Sequence, residues 1–249
     1  MDETRISSAI ILNRSDYRES DSLVTVYTKE FGKLSLVARG TKKINSKLAG
    51  HLEPFSLVNI LIIKGKGFDY IGSALGENAY LNLKDNLNKI YYSGRVISWF
   101  SRLVRDGERD ERLFLLLKRW LEVTDKYFED DFTKENGELF FIFFALKLMT
   151  ELGYKPEMYE CLNCRNLIEP GKNYFNLKNG GLVCGPCLER ERKTQVFSAA
   201  EILTISDNCI KLMRFIMDNK LDMAKKLKLD KKVIKELSNL TTNFLNFHV

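Results

Sequence analysis

Histidine is nearly missing from this 249-residue chain: only His51 and His248 occur. Catalysis centred on an imidazole therefore has little to work with. No glycine-rich phosphate loop, nucleophile motif or His-Glu-x-x-His pattern is found either, so the chain reads as non-enzymatic. Glu108, Asp110 and Glu111 beside Arg105, Arg109 and Arg112 read as a charge network at a helix boundary. Long apolar runs are missing too. The most apolar segment, Leu139 to Leu146, has eight residues, where a membrane-spanning helix needs about 20. The N-terminal MDETRISSAIILNRSD has acids where a secretion signal carries bases. The expectation is a soluble, cytoplasmic protein with no membrane partner. Five cysteines, an odd number, in such a chain argue against a disulfide framework.

The length allows two domains or one large one. Apolar residues make up 45% of the chain, enough for a real core, and the formal net charge is +6. That moderate basic bias permits a nucleic-acid partner. Its source is local. Between Ser22 and Gly72 three apolar, β-branched runs, Leu23–Tyr27, Leu34–Ala38 and Leu57–Ile63, are separated by turn residues. Ser8–Leu12 precedes them as a first strand, Asn13–Arg18 reads as a polar turn, and Ile71–Ala74 belongs to a last strand. Five short strands broken at glycine fit the small Greek-key barrel called an OB-fold, over residues 1–80. An SH3-like barrel gives a similar strand count. The gap from Thr41 to Pro54 is long for a hairpin and reads as a helix or mobile loop.

From Lys33 to Lys66 the chain carries Lys33, Arg39, Lys42, Lys43, Lys47, Lys64 and Lys66 against one acid, Glu53. Positive loops beside exposed strand faces can track a phosphate backbone. The plainer alternative is that basic turns only keep a small barrel soluble. Phe31, Phe55, Phe68 and Tyr70 lie near these loops. Each reads first as barrel core and second as a surface for stacking bases.

Beyond residue 80 the period changes to helical. Asp85–Arg105 and Glu111–Phe128 read as amphipathic helices, and Asp125–Glu138 as an acidic, solvated loop. Gly137–Leu152 reads as a helix that is apolar nearly all round, hence one in the middle of a bundle; a groove for a partner is the sharper alternative. Gly153 and Pro156 stop it. Ser198 and Glu201 have capping-box spacing and predict a helix from about Ala199 to Asn219; a last one runs from about Asp230 to Asn246. Lys211–Lys235 holds nine bases and three acids, read as the solvated side of the terminal helices, with a second DNA-facing surface as the alternative. Cys209 sits on an apolar helical pattern and reads as core.

Between these helices, Cys161-x₂-Cys164 and Cys184-x₂-Cys187 stand nineteen residues apart. Each pair can put two thiolates on one side of a tight turn, and two such turns complete a tetrahedral site. Gly180, Gly181, Gly185 and Pro186 suit those turns. The expected ligand set is Cys161, Cys164, Cys184 and Cys187, and the expected cofactor is one zinc ion, ahead of iron. Four ligands leave no open position, so the ion is structural. The segment 158–190 reads as an insertion within one helical domain, 81–249.

The order of parts resembles the bacterial RecO family of DNA repair and recombination proteins. The matching stretches are ESDSLVTVYTKEFGKLSLVARGTKK with SKLAGHLEPF, then ELGYKPEMYECLNC, then NYFNLKNGGLVCGPC followed by FSAAE. The resemblance implies an α+β chain: an N-terminal five-stranded OB-fold β-barrel followed by an α-helical domain with an inserted zinc-ribbon-like segment. It implies binding to single- and double-stranded DNA and annealing of complementary strands. The implied partners are RecR and the C-terminal tail of the single-stranded DNA-binding protein SSB, with RecA loading onto gapped DNA as the outcome and the bacterial nucleoid as the place. Two other classes fit the residues alone: an RNA-binding protein with an OB barrel and a zinc ribbon, and a protein scaffold whose basic charge is incidental.

Overall fold

The computed structural model describes residues 4–127, 132–194 and 201–248. The chain divides into two compact units, Met1–Glu129 and Asp130–Val249.

The first unit opens with five strands: β1 (Thr4–Asp16), β2 (Ser22–Thr28), β3 (Gly32–Ala38), β4 (Leu57–Ile63) and β5 (Tyr70–Asn78). They close into a barrel in the order β1-β2-β3-β5-β4. All neighbours are antiparallel except β3 and β5, which close the barrel in parallel with Val37 opposite Tyr70. This is an OB-type barrel. Alternate residues point inward, as the strand period requires. Ala9 and Ile11, Val24 and Val26, Leu36 and Ala38, and Val58, Ile60 and Ile62 form one buried cluster.

Three local features depart from the sequence reading. The first strand is longer than Ser8–Leu12. A register shift between Ile11 and Asn13 breaks the alternation, and Asn13–Asp16, expected as a turn, continues as strand against Leu23–Thr25 and Ser22. The bulge bends β1 so that its first half pairs with β4 and its second with β2. The last strand extends to Asn78, although most of its outer half is exposed and polar. The long connection between β3 and β4 holds one 3₁₀ turn, Ala49–His51. Arg14 pins it: the guanidinium donates to the carbonyls of Ala49 (3.0 Å) and Thr41 (3.4 Å) and pairs with Glu53 at 3.0 Å. At the β2–β3 turn Gly32 has φ +68, and a Cβ there would collide with the Glu108 carbonyl. Only glycine meets both demands.

Three helices complete the first unit: α1 (Leu81–Lys84), α2 (Leu87–Leu103) and α3 (Glu111–Asp125). Asn86 caps α2 by accepting from the Lys89 N–H, and Asp110 caps α3 by accepting from Arg112 and Leu113. Trp120 of α3 is buried, and its indole N–H donates to Ser93 of α2 at 3.1 Å. The predicted end of this helix at Phe128, and residues 129–131 of the acidic loop, lie outside the described residues.

In the second unit, α4 (Lys134–Glu151) is buried on nearly every side, as its all-round apolar sequence predicts. Its end is a Schellman turn: Gly153 has φ +90 and donates to Thr150, while Tyr154 donates to Met149 at 2.8 Å. A three-stranded sheet follows, order β7-β6-β8, from β6 (Asn173–Asn176), β7 (Gly181–Cys184) and β8 (Ile202–Ile205), with α5 (Gly185–Thr194) after β7. The last helices are α6 (Asp207–Asp218) and α7 (Lys231–Phe247). The helix predicted from Ala199 therefore starts later. Ile202–Ile205 instead pairs with β6, since its β-branched alternation suits a strand. The observed cap is Ser206, whose hydroxyl accepts from the Cys209 N–H at 3.2 Å. Ser198 lies outside the described residues. Cys209 is fully buried in α6. Among the described residues no helix is long and apolar enough to cross a membrane.

Candidate metal centre and nucleic-acid interface

The four predicted cysteines come together. Their Sγ atoms all lie within 4.8 Å of one another, and those of Cys164 and Cys184 are 3.9 Å apart. A tetrahedral ion with Zn–S bonds of about 2.3 Å places its sulfurs about 3.8 Å apart, so the donor set and its size fit zinc. Each turn has its own local cause. In the first, the Cys161 N–H donates to Asn166, the Arg165 N–H donates back to Cys161, and Arg165 takes the left-handed conformation at φ +61. In the second, β7 delivers Cys184, and the first turn of α5 delivers Cys187 three residues on. A Cβ at Gly185 would stand 2.9 Å from the Lys172 carbonyl, so this position requires glycine.

The electrostatics suit an ion. Burial opposes ionisation of Cys161, but the N–H groups of Cys164, Cys184 and Asn163 more than offset it and bring the thiol down to about 7. Burial pushes the Cys184 thiol up to about 12 and Cys187 up as well. Four thiolates this close require a cation among them. Arg190 donates to the Cys187 sulfur at 2.9 Å and supplies one positive charge. The apolar support is slight: Val183 and Leu188 with Cys161 and Cys187, flanked by Leu162, Ile168, Tyr174 and Ile202.

The predicted basic residues divide. Lys33 stands apart from the rest, at the start of β3. Its ammonium donates to the carbonyls of Ser101 and Val104 at the end of α2, both at 2.6 Å, and pairs with Asp106 at 3.1 Å. It caps a helix from outside it. The others lie on two connections. Arg39, Lys42, Lys43 and Lys47 follow β3; Lys64 and Lys66 lie between β4 and β5. The β1–β2 turn joins them. The Gly40 N–H donates to Asp21 at 2.9 Å, and that hydrogen bond leads the interactions holding the Asp21 carboxyl below its ordinary range. Lys42 donates through its N–H to Ser20 and through its ammonium to Arg18, and pairs with Asp16 at 3.0 Å. The Val37 N–H donates to Asp69 at 2.9 Å, tying the β4–β5 turn to the end of β3.

Aromatic rings run through this end of the barrel. Arg39 lies over the ring of Tyr70 at 3.9 Å, and Arg18 over Tyr17 at 5.1 Å. Tyr17 and Phe68 meet edge to face at 5.7 Å. Of the four aromatics singled out from the sequence, Phe31 packs against the barrel core, Phe55 and Tyr70 are half-buried, and Phe68 is exposed. Tyr17 and Arg18 escaped the sequence reading because a polar turn gave no sign of which turn it would face. Asp16 and Asp21 escaped for the same reason, and they place negative charge where counting along the chain found almost none.

Comparison with known proteins follows this architecture. A family profile described as "Recombination protein O N terminal" matches residues 1–79, and one described as "Recombination protein O C terminal" matches residues 84–249. The chain belongs to the RecO family. Curated RecO relatives align over nearly the whole chain. "DNA repair protein RecO" of Dehalococcoides mccartyi is 28% identical over 93% of this chain and 85% of its own length. The protein of the same name from Thermoanaerobacter sp. is 25% identical over 98% and 92%, and that from Roseiflexus sp. 28% over 96% and 79%. The first RecO profile ends one residue after β5, whereas the first compact unit also takes in α1–α3.

Proposed function

We propose that this RecO-family chain is a non-enzymatic, cytoplasmic DNA-binding recombination mediator in DNA repair. It binds single- and double-stranded DNA, anneals complementary strands, and acts with RecR and the C-terminal tail of SSB to load RecA onto gapped DNA. The observation that carries the DNA reading is the gathering of Arg39, Lys42, Lys64 and Lys66 with Arg18 on three connections at one end of a closed OB barrel. OB barrels take oligonucleotides on the β1–β2 and β4–β5 turns and the face between. Cations there meet phosphates without reading sequence. Annealing then needs no covalent chemistry: neutralising two backbones lowers their repulsion. The partners rest on family membership. We assign the second unit one structural zinc ion held by Cys161, Cys164, Cys184 and Cys187.

The test is anisotropy of a labelled single-stranded oligomer titrated with the protein at several salt concentrations, followed by an annealing assay. Binding should weaken steeply with salt, show no sequence preference, and be matched by faster annealing. Absence of binding at low salt would remove the DNA reading of the barrel, and tighter binding to RNA of the same sequence would redirect it.

A further inference from the structure

The basic loops account for phosphate contacts, yet Tyr17 and Phe68 remain on the surface at 37% and 43% exposure. Both rings thus keep surface that a ligand can reach. They belong to different turns, Tyr17 between β1 and β2 and Phe68 between β4 and β5, and meet edge to face at 5.7 Å. Neither belongs to the buried barrel cluster.

Both turns are held firmly. The Tyr17 N–H donates to the Asp21 carbonyl at 3.3 Å. The Gly65 N–H donates to the Asp69 carboxylate at 3.0 Å, and the Asp69 carbonyl accepts from Val37. Gly65 is required there, because a Cβ would stand 2.6 Å from the Tyr70 ring and collide with the Phe68 carbonyl. Tyr70 is itself covered by Arg39 at 3.9 Å. Tyr70 therefore serves as a floor, while the turn above it presents Phe68 outward. Fixed rings lose little entropy when a flat partner settles on them.

We propose that Tyr17 and Phe68 form a stacking platform for the unpaired bases of single-stranded DNA and make this end of the barrel prefer single strands to duplex. The inference rests on the DNA reading above. The surrounding cations fix the occupant's class: Arg18 over Tyr17 and Lys66 two residues from Phe68 favour an aromatic ligand strung on anionic links. In a duplex the base faces are stacked on one another and closed to these rings, so duplex meets only the cations.

The experiment compares the full chain with Phe68→Ala and Tyr17→Ala by anisotropy, on one oligomer as single strand, as duplex and as an abasic strand, at several salt concentrations. Stacking contributes enough that Phe68→Ala should weaken single-strand binding on the order of 10-fold. Duplex binding should change by less than about twofold, and the salt slope should stay as in the parent because no phosphate contact is lost. On the abasic strand, parent and variant should bind alike, and Phe68→Trp should restore single-strand affinity. Thermal midpoints should match, since the ring is outside the core. Equal losses on all three ligands, or no loss on the single strand, would overturn the platform while leaving DNA binding intact. A parent that binds none of the three ligands would overturn both.

Discussion

Lys89 is 1% exposed, and its ammonium donates to the carbonyls of Tyr127 (2.7 Å), Asp125 and Asn82 (both 3.4 Å). A buried cation survives when oxygens replace its water. Here those oxygens end α3 and lie in α1, where carbonyls lack helical partners and the dipole is negative. Lys89→Ala removes the donor and the packed stem together, and should cost about 3 kcal/mol in urea unfolding. Lys89→Met keeps the stem and should cost less; equal losses would mean that the ammonium's hydrogen bonds alone matter and the stem's packing adds nothing. His248 makes the opposite case. It touches the rings of Tyr154, Phe244 and Phe247, and its buried Nε2 has no hydrogen-bond partner among the described residues. Burial pushes its pKa down, against a hydrogen bond with Leu177 that pulls it up. A base depressed on folding is held neutral, so its contribution is fully present above the unfolded value of about pH 6.5 and is lost as pH falls from there through the lower folded pKa. The thermal midpoint of the parent should therefore drop more between about pH 7.5 and about pH 5.5 than that of His248→Phe. Parallel drops would exclude the histidine.

Among the elements, the four-cysteine segment has a small apolar core, and on the zinc assignment proposed above it is the part that should depend on the ion. Stripping zinc with a chelator should open the segment around Cys161–Cys187 to protease first, while α4, α6 and α7 keep their helical signal. Thiol titration gives a sharper readout. Burial pushes the Cys209 thiol far up and it is fully covered, so it should stay silent while the other four react. Five equally reactive thiols would mean that the whole second unit had opened. The gathering of these four cysteines was legible in the sequence because a Cys-x₂-Cys turn fixes the spacing within each pair whatever surrounds it. The barrel strands were legible for a similar reason: alternation at Val24 and Val26 or Val58, Ile60 and Ile62 is local. Asn13–Asp16 was not, because the bulge after Ile11 resets the alternation and a partner strand, not propensity, holds those polar residues extended. The start of α6 was missed because Ser198 with Glu201 and Ser206 both carry capping chemistry, and the sheet pairing of Ile202–Ile205 decides between them. The partners of Lys33 were not legible, since its oxygens come from Ser101 and Val104, far along the chain.

At the scale of the whole molecule, a net charge of +6 is modest, and position gives it effect. Arg39, Lys42, Lys43 and Lys47 follow the same strand, but they are not equivalent. Lys42 is already paired with Asp16, whereas Lys43 and Lys47 are exposed. Reversing Lys42, Lys43 and Lys47 to glutamate should weaken binding to every DNA sequence and flatten the salt slope by about 1–2 units on single strands, at roughly 0.7 per lost phosphate contact. Because of its ion pair, Lys42→Glu alone should contribute less of that change than Lys43→Glu. Lys33→Glu is the control within the same strand. It places a carboxylate against the Ser101 and Val104 carbonyls and beside Asp106, so it should lower the unfolding midpoint and leave the salt slope of the remaining folded protein unchanged. If instead Lys33→Glu flattens the slope and the triple reversal does not, phosphate contact belongs to the opposite end of β3. A triple variant that binds like its parent would move the contact surface to the basic stretch of the second unit between Lys225 and Lys235.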